Sequence, residues 1–249
     1  ALAAAIKTEG VDLVLTGRMM DVGTLVLCPI ERVSGTTVSA TSLLAPKDAK
    51  KALERAVKAL QKQKFEEAEK SIKSAIEAYP KYAAAYFQLG QLHQQQRRNE
   101  DARVAYSKAL EMDGNYVIPY IELARIAAQE QKWAEVVAHT DRALALDPLD
   151  FPDGFVLNAL ANFNLKSLAA AESSARKAQR LDSLHRFPQE HLILAGILRH
   201  KQDLPGEAEQ LRSYLKYAPS ASNVGTVRSR LLELERTGDP IADRLPPRP

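Results

Sequence analysis

Cysteine is all but missing from this chain: Cys28 stands alone among 249 residues. That excludes an intramolecular disulfide and leaves the redox compartment unmarked. Long apolar runs are missing as well. No stretch approaches the roughly 20 residues that a membrane-spanning helix needs, and the apolar opening Ala1–Ile6 stops at Lys7 with no basic leader, so it does not read as an intact secretory signal. The first residue is Ala rather than Met, which fits initiator removal, cleavage of an export signal, or a fragment of a longer protein. Cytoplasm and periplasm or cell envelope both stay open as locations. Neither charge sign dominates, since 34 Lys and Arg face 31 Asp and Glu spread along the chain. Nucleic-acid binders gather their cations on one face, so no nucleic-acid partner is expected.

Catalytic and cofactor signatures are lacking too. The eleven glycines are scattered, and Gly17–Gly23 has neither the strand-loop-helix setting nor the Lys-Ser/Thr ending of a phosphate loop. His93, His139, His185, His191 and His200 include no pair three to five apart on one helix face, the spacing zinc ligands require. Cys28 lies in an apolar run with no activating partner and reads as a buried, inert thiol. The expectation is therefore no metal, no cofactor and no enzyme. Glu66-Glu67 and Glu100-Asp101 fall in first turns of helices, where carboxylates favour the positive end of the dipole. Asn99 is the expected N-cap of its helix, and Trp133 is expected to pack at the start of another.

What the chain does have is a repeat. Ala68, Ala102 and Val136 recur at an interval of 34 residues, as do Ala75, Ala109 and Ala143, and Pro80, Gly114 and Pro148. Small residues returning at that period mark stacked helical hairpins, because a small side chain is needed wherever two helix backbones approach. Apolar residues three and four apart place hairpins at 47–80, 82–114, 116–148, 151–183 and 187–219. A helix over 220–236 carries Val227, Leu231 and Leu234 against a charged face, the pattern of a cap closing a stacked array. The tail 237–249 is rich in Pro and is expected to be disordered. Residues 1–45 differ in texture: Val11–Leu15, Val22–Cys28 and Thr36–Thr41 are short β-branched runs broken by Gly and Pro, and read as strands. They are too few for an independent sandwich and suggest the remnant of an upstream β-domain, or a segment that covers part of the helices.

Tyr86-x-x-Leu89-Gly90 followed by Ala102, Tyr106 and Ala109 resembles the tetratricopeptide repeat, and graded matches extend the resemblance over residues 47 to 219. It implies an all-α, right-handed superhelical solenoid of about five helix-turn-helix repeats with a capping helix, preceded by the short β segment. In that family the first helix of each hairpin lines the concave side. The implied peptide-binding groove is Phe87, Gln91 and Gln94, then Ile121, Arg125 and Gln129, then Val156, Leu160 and Phe163, then Ile193, Ile197 and His200. On this reading Phe87 and Ile121 are surface residues that tolerate Glu without loss of helix. Leu53, Val57, Phe87 and Gln91 stand where some relatives begin a Lys/Asn clamp for a terminal carboxylate, so no such clamp is expected. Val11–Leu15 looks like the closing strand of a carboxypeptidase-regulatory-like module, which bacteria commonly place before such repeats.

The function these features imply is a non-enzymatic scaffold that binds a protein or peptide on the concave groove. Two alternatives stay open: a self-assembly module forming a homo-oligomer, and an accessory domain of a larger protein whose active part lies upstream.

Overall fold

Six residues other than glycine hold a left-handed backbone among the described residues, and five of them set the architecture. Gln63, Arg97, Gln131, Lys166 and Gln202 have φ between 55° and 63°. Each follows a helix, and each sits in the same pair of backbone hydrogen bonds. Lys64 N donates to Ala59 O while Gln63 N donates to Leu60 O, and the pattern repeats through Asp203 N to Leu198 O with Gln202 N to Arg199 O. This is the Schellman ending, which satisfies carbonyls that a helix terminus leaves free. The next residue's carbonyl at once accepts the first bond of a new helix, as Lys64 O does from Ala68 N. The chain therefore reverses in three residues, and the two helices must lie antiparallel and close.

The computed structural model of the chain describes residues 38–238, together with the backbone of β1 (Ala4–Thr8) and β2 (Val11–Leu15). Its contacts divide it into two units, 1–34 and 35–249. In the first, β1 and β2 pair antiparallel with Ala4 opposite Leu15 and Thr8 opposite Val11. The run Val22–Cys28, the Gly17–Gly23 stretch and the tail beyond Gly238 lie outside the described residues.

Residues 38–238 hold helices only. A short α1 (Thr41–Leu44) precedes five hairpins. These are α2 (Lys47–Gln61) with α3 (Phe65–Ala78), α4 (Ala83–Gln95) with α5 (Asn99–Met112), α6 (Val117–Gln129) with α7 (Trp133–Leu146), α8 (Pro152–Asn164) with α9 (Leu168–Leu181), and α10 (Gln189–His200) with α11 (Leu204–Tyr217). The final α12 (Val224–Gly238) lays Val227, Leu231 and Leu234 against Leu211 and Tyr214 of α11. The stretch Thr36–Thr41, expected as a strand, is a turn leading into α1 over its described part. Ser39 Oγ accepts from Thr41 N at 3.2 Å, a local side-chain bond that competes with sheet pairing. Asn99 does not cap α5 either. Arg98 occupies the N-cap without a side-chain bond, and the Asn99 amide reaches Gln129 Oε1 at 3.3 Å.

The core is a series of local clusters rather than one centre, as stacked repeats require. The recurring alanines Ala68, Ala75, Ala102, Ala109 and Ala143 are fully buried at the helix seams. Gly90 lies face to face with the Tyr106 ring: a Cβ there would fall within 2.8 Å of Cζ. The seam between the third and fourth hairpins carries a polar network beside its apolar contacts. Asn158 donates to Thr140 Oγ1 at 2.8 Å and to Asp141 Oδ1 at 2.7 Å, and its own Oδ1 accepts from Ser174 and Asn162. Buried amides so fully partnered fix one register between α7, α8 and α9.

Two stability outcomes follow from this geometry. Gly90→Ala overpacks a buried tyrosine and lowers unfolding free energy by about 1–3 kcal/mol in a urea titration. Gln131→Gly relieves a left-handed non-glycine residue and raises it by about 0.5–1 kcal/mol.

Candidate functional site

The direction of curvature follows from which helices touch. The first helices approach one another along the stack, α2 with α4, α6 with α8 and α8 with α10, while the second helices show no comparable approach. Crowding on one side and splaying on the other place α2, α4, α6, α8 and α10 on the inner wall.

That crowding buries part of the groove expected from the sequence. Phe87 is packed with the rings of Tyr106 and Tyr116, both centroids 5.5 Å away, and is only 5% exposed. Ile121 is buried in the cluster shared by α6 and α7, and its Cδ1 reaches Gly154 of α8. Ile193 and Ile197 are buried with Ala159, Ala171 and Ala175. These four hold neighbouring helices together and are not an open wall, so a Glu at Phe87 or Ile121 would strand a charge in the core rather than probe a surface.

Three more expected residues are engaged in polar contacts, two of them in a chain that crosses the wall. Tyr106 donates to Gln94 Oε1 at 2.5 Å, and Gln94 in turn hydrogen-bonds Glu122. Arg125 lies 3.8 Å from Glu122 Oε1 and makes a tight ion pair with Asp153 at the start of α8. Burial holds the Glu122 carboxyl above its ordinary range, against the opposing pull of Arg125 and Gln94. Gln129 takes the bond from Asn99 already described. Gln91 is half-buried, with no side-chain partner among the described residues.

What stays accessible is concentrated on α8 and the end of α10. Val156, Leu160 and Phe163 are half-buried at helical spacing, one stripe along α8. Phe163 leans across to α10, where the missing side chain of Gly196 admits its ring; a Cβ there would sit 2.9 Å from Cζ. His200 is exposed and meets the same ring edge-on at 6.0 Å, and Lys166 Nζ stands 5.9 Å from its centre. An apolar stripe ending in an aromatic flanked by a lysine and an imidazole can hold apolar side chains of a bound chain and orient its polar groups.

A second cluster is chemically conspicuous but closed. At the junction of α9, α10 and α11, Glu190 is 1% exposed and neither of its oxygens has a hydrogen-bond partner. His191 Nδ1 lies 2.8 Å from Gln210 Oε1 and 3.2 Å from Gln179 Nε2, and its Nε2 stands 3.6 Å from Glu190 Oε1. His185 stacks on Tyr217 at 3.7 Å beside them. Burial pushes the Glu190 carboxyl up to about 7 and pulls the His191 imidazole down. Both groups therefore favour their neutral forms. Among the described residues no three His, Cys, Asp or Glu side chains converge as a metal would need.

Asp113 had no place in the expected site, yet its carboxylate accepts from Ser39 Oγ at 2.7 Å and from Ala40 N at 2.8 Å. Thr41 Oγ1 accepts from Ala83 N at 3.1 Å. Residues 39–41 are thus pinned across the start of α4. The signal was Asp at the same register in successive repeats, Asp113 and Asp147, each closing a turn with its own carboxylate.

Comparison with known proteins agrees with this geometry. Residues 83–116 match the family model described as tetratricopeptide repeat. Among solved structures, YrrB, titled a TPR protein with an unusual peptide-binding site, superposes with a TM-score of 0.62 at 15% identity, covering 78% of this chain and 100% of that one. PilW, titled a widely conserved type IV pilus biogenesis factor, gives 0.60 at 15% identity over 80% and 99%. A tetratricopeptide repeat protein from Parabacteroides merdae gives 0.63 at 15% identity over 76% and 74%. The fold is a tetratricopeptide-like helical solenoid. A search of curated proteins gave no match.

The buried pair makes stability depend on pH. Glu190 contributes most below its unfolded value near 4.5 and loses that contribution as pH rises through about 7. His191 contributes most above its unfolded value of 6.5 and loses it as pH falls through the depressed folded value. Stability is then greatest in mildly acid solution. Glu190→Gln removes the alkaline decline, raising unfolding free energy at pH 8 by roughly 1–3 kcal/mol with little change at pH 5. Denaturant titrations across that range check it, and an unchanged slope between pH 5 and 8 would refute the assignment.

Proposed function

We propose that the chain is a non-enzymatic scaffold whose inner wall holds a segment of another protein, with the α8 stripe as its principal contact. Tetratricopeptide folds generally mediate protein–protein contacts, and both the repeat match and the fold of the solved neighbours support that class. The observation that carries the reading is the stripe of Val156, Leu160 and Phe163, half-exposed on the inner wall while the neighbouring first-helix aliphatics are fully used in packing. Its length suits an extended or helical segment presenting alternating apolar side chains. Gln91 and His200 would then supply polar contacts at the two sides, and the Arg125–Asp153 pair a fixed border. No helix among the described residues is long and apolar enough to cross a membrane, and a polypeptide ligand is the partner this wall fits.

Leu160→Glu combined with His200→Ala places a charge on the stripe and removes its polar edge. The expected result in affinity purification from the native cell, read by mass spectrometry, is loss of the captured partner by about tenfold or more. Far-UV circular dichroism stays unchanged because neither side chain is fully buried. Undiminished capture by a folded variant would show that the binding surface lies elsewhere.

A further inference from the structure

Charge is distributed unevenly over the first helices. The described parts of α4, α6 and α8 carry only Glu122, Arg125 and Asp153 besides His93. By contrast α2 carries Lys47, Lys50, Lys51, Arg55 and Lys58 against Asp48 and Glu54. None of those five cations pairs with a carboxylate of the described residues, although ion pairs begin at once in α3 with Lys64–Glu67 and Lys73–Glu69. Lys50 spends one bond on a backbone oxygen, Leu43 O at 3.3 Å.

Beside these cations lies an apolar opening. Leu53, Val57 and the buried ring of Tyr82 floor a groove of about 570 Å³, and Lys50, Lys58 and Glu54 stand on its rim. The pinned segment ahead of α2 carries two leucines, Leu43 at 79% and Leu44 at 76% exposure, and the Leu43 carbonyl holds Lys50 of the rim. Two neighbouring leucines left in water beside an apolar floor and a cationic rim need a partner offering apolar side chains and negative charge.

We infer that this end of the inner wall binds an acidic peptide segment, seating its apolar side chains over Leu53 and Val57 and its carboxylates against Lys50 and Lys58. The inference rests on the proposed function and adds polarity to it: the acidic part of the bound chain lies at α2 and the apolar part toward α8. The recognised charges are side-chain carboxylates along the segment, because an apolar floor occupies the centre. An anionic membrane fits less well. The alanine stripe of α2, Ala49, Ala52, Ala56 and Ala59, is buried within the stack and is not available to lipid.

The test is fluorescence anisotropy on the full chain with a labelled, C-terminally amidated peptide of Leu pairs among Glu residues, and a control with Lys for Glu. The Glu peptide binds, the Lys peptide does not, and affinity falls as salt rises. Lys50→Glu with Lys58→Glu lowers affinity at least about tenfold, whereas Lys50→Arg with Lys58→Arg retains it and reports that the fold is intact. Val57→Asp also weakens binding. If binding ignores the α2 variants but is lost in Leu160→Glu, the inner-wall reading stands and this assignment fails. If neither peptide binds, the assignment fails, and the partner-capture experiment decides separately on the inner wall. Two further results overturn it: capture of phosphatidylserine vesicles in place of peptide, lost in the same α2 variants, or a concentration-dependent dimer that those variants dissolve, which would make a second copy the occupant.

Discussion

The tight reversal at the left-handed residues is the constraint on which everything else depends. A three-residue turn that satisfies both the end of one helix and the start of the next leaves no slack, so the helices of a hairpin must touch along their length. Touching helices need small residues at the seam, and that is where Ala68, Ala102 and Gly90 stand. Because each turn is built the same way, each hairpin presents the same faces, and hairpins stack by nearest-neighbour contact alone.

Stacking has a cost for function that the structure makes visible. The side of the array that curves inward brings helices so close that larger apolar side chains of the first helices, Phe87, Ile121, Ile193 and Ile197, are consumed in packing. A binding surface survives where this closure is incomplete. Gly196 leaves room for Phe163 to lie across the next helix, and the stripe behind it stays partly open. At the other end, where no hairpin among the described residues stands before α2, a groove floored by Leu53 and Val57 is present too.

Polar groups in this fold divide into those that fix register and those that sit uneasily. Asn158 and its partners are fully satisfied and align two hairpins. Glu190 is buried without a hydrogen-bond partner, and burial raises its carboxyl to about 7 beside the His191 imidazole that burial lowers. In the first arrangement donors and acceptors balance, whereas the second depends on solution conditions for its charge state.

Much of the helical fold is legible in the sequence by itself. The 34-residue recurrence of small residues and the three-and-four spacing of apolar ones are local, one-dimensional signals, and they suffice to announce stacked hairpins. The left-handed turn residues are not legible, since Gln, Arg and Lys carry no sign of positive φ; only the hydrogen bonds around them reveal it. The groove is legible only in part. Phe87 packs on Tyr106 of its own hairpin, although the family resemblance places it and Leu160 alike on the groove face; whether such a side chain meets solvent or another helix depends on how far adjacent hairpins rotate. That rotation is decided by contacts between residues distant in the chain, such as Ile121 against Gly154 and Phe163 over Gly196. The sequence by itself therefore determined the class of fold, because that follows from periodicity. Which side chains of the first helices are buried and which are exposed was settled by tertiary structure, because burial is a property of the space between repeats.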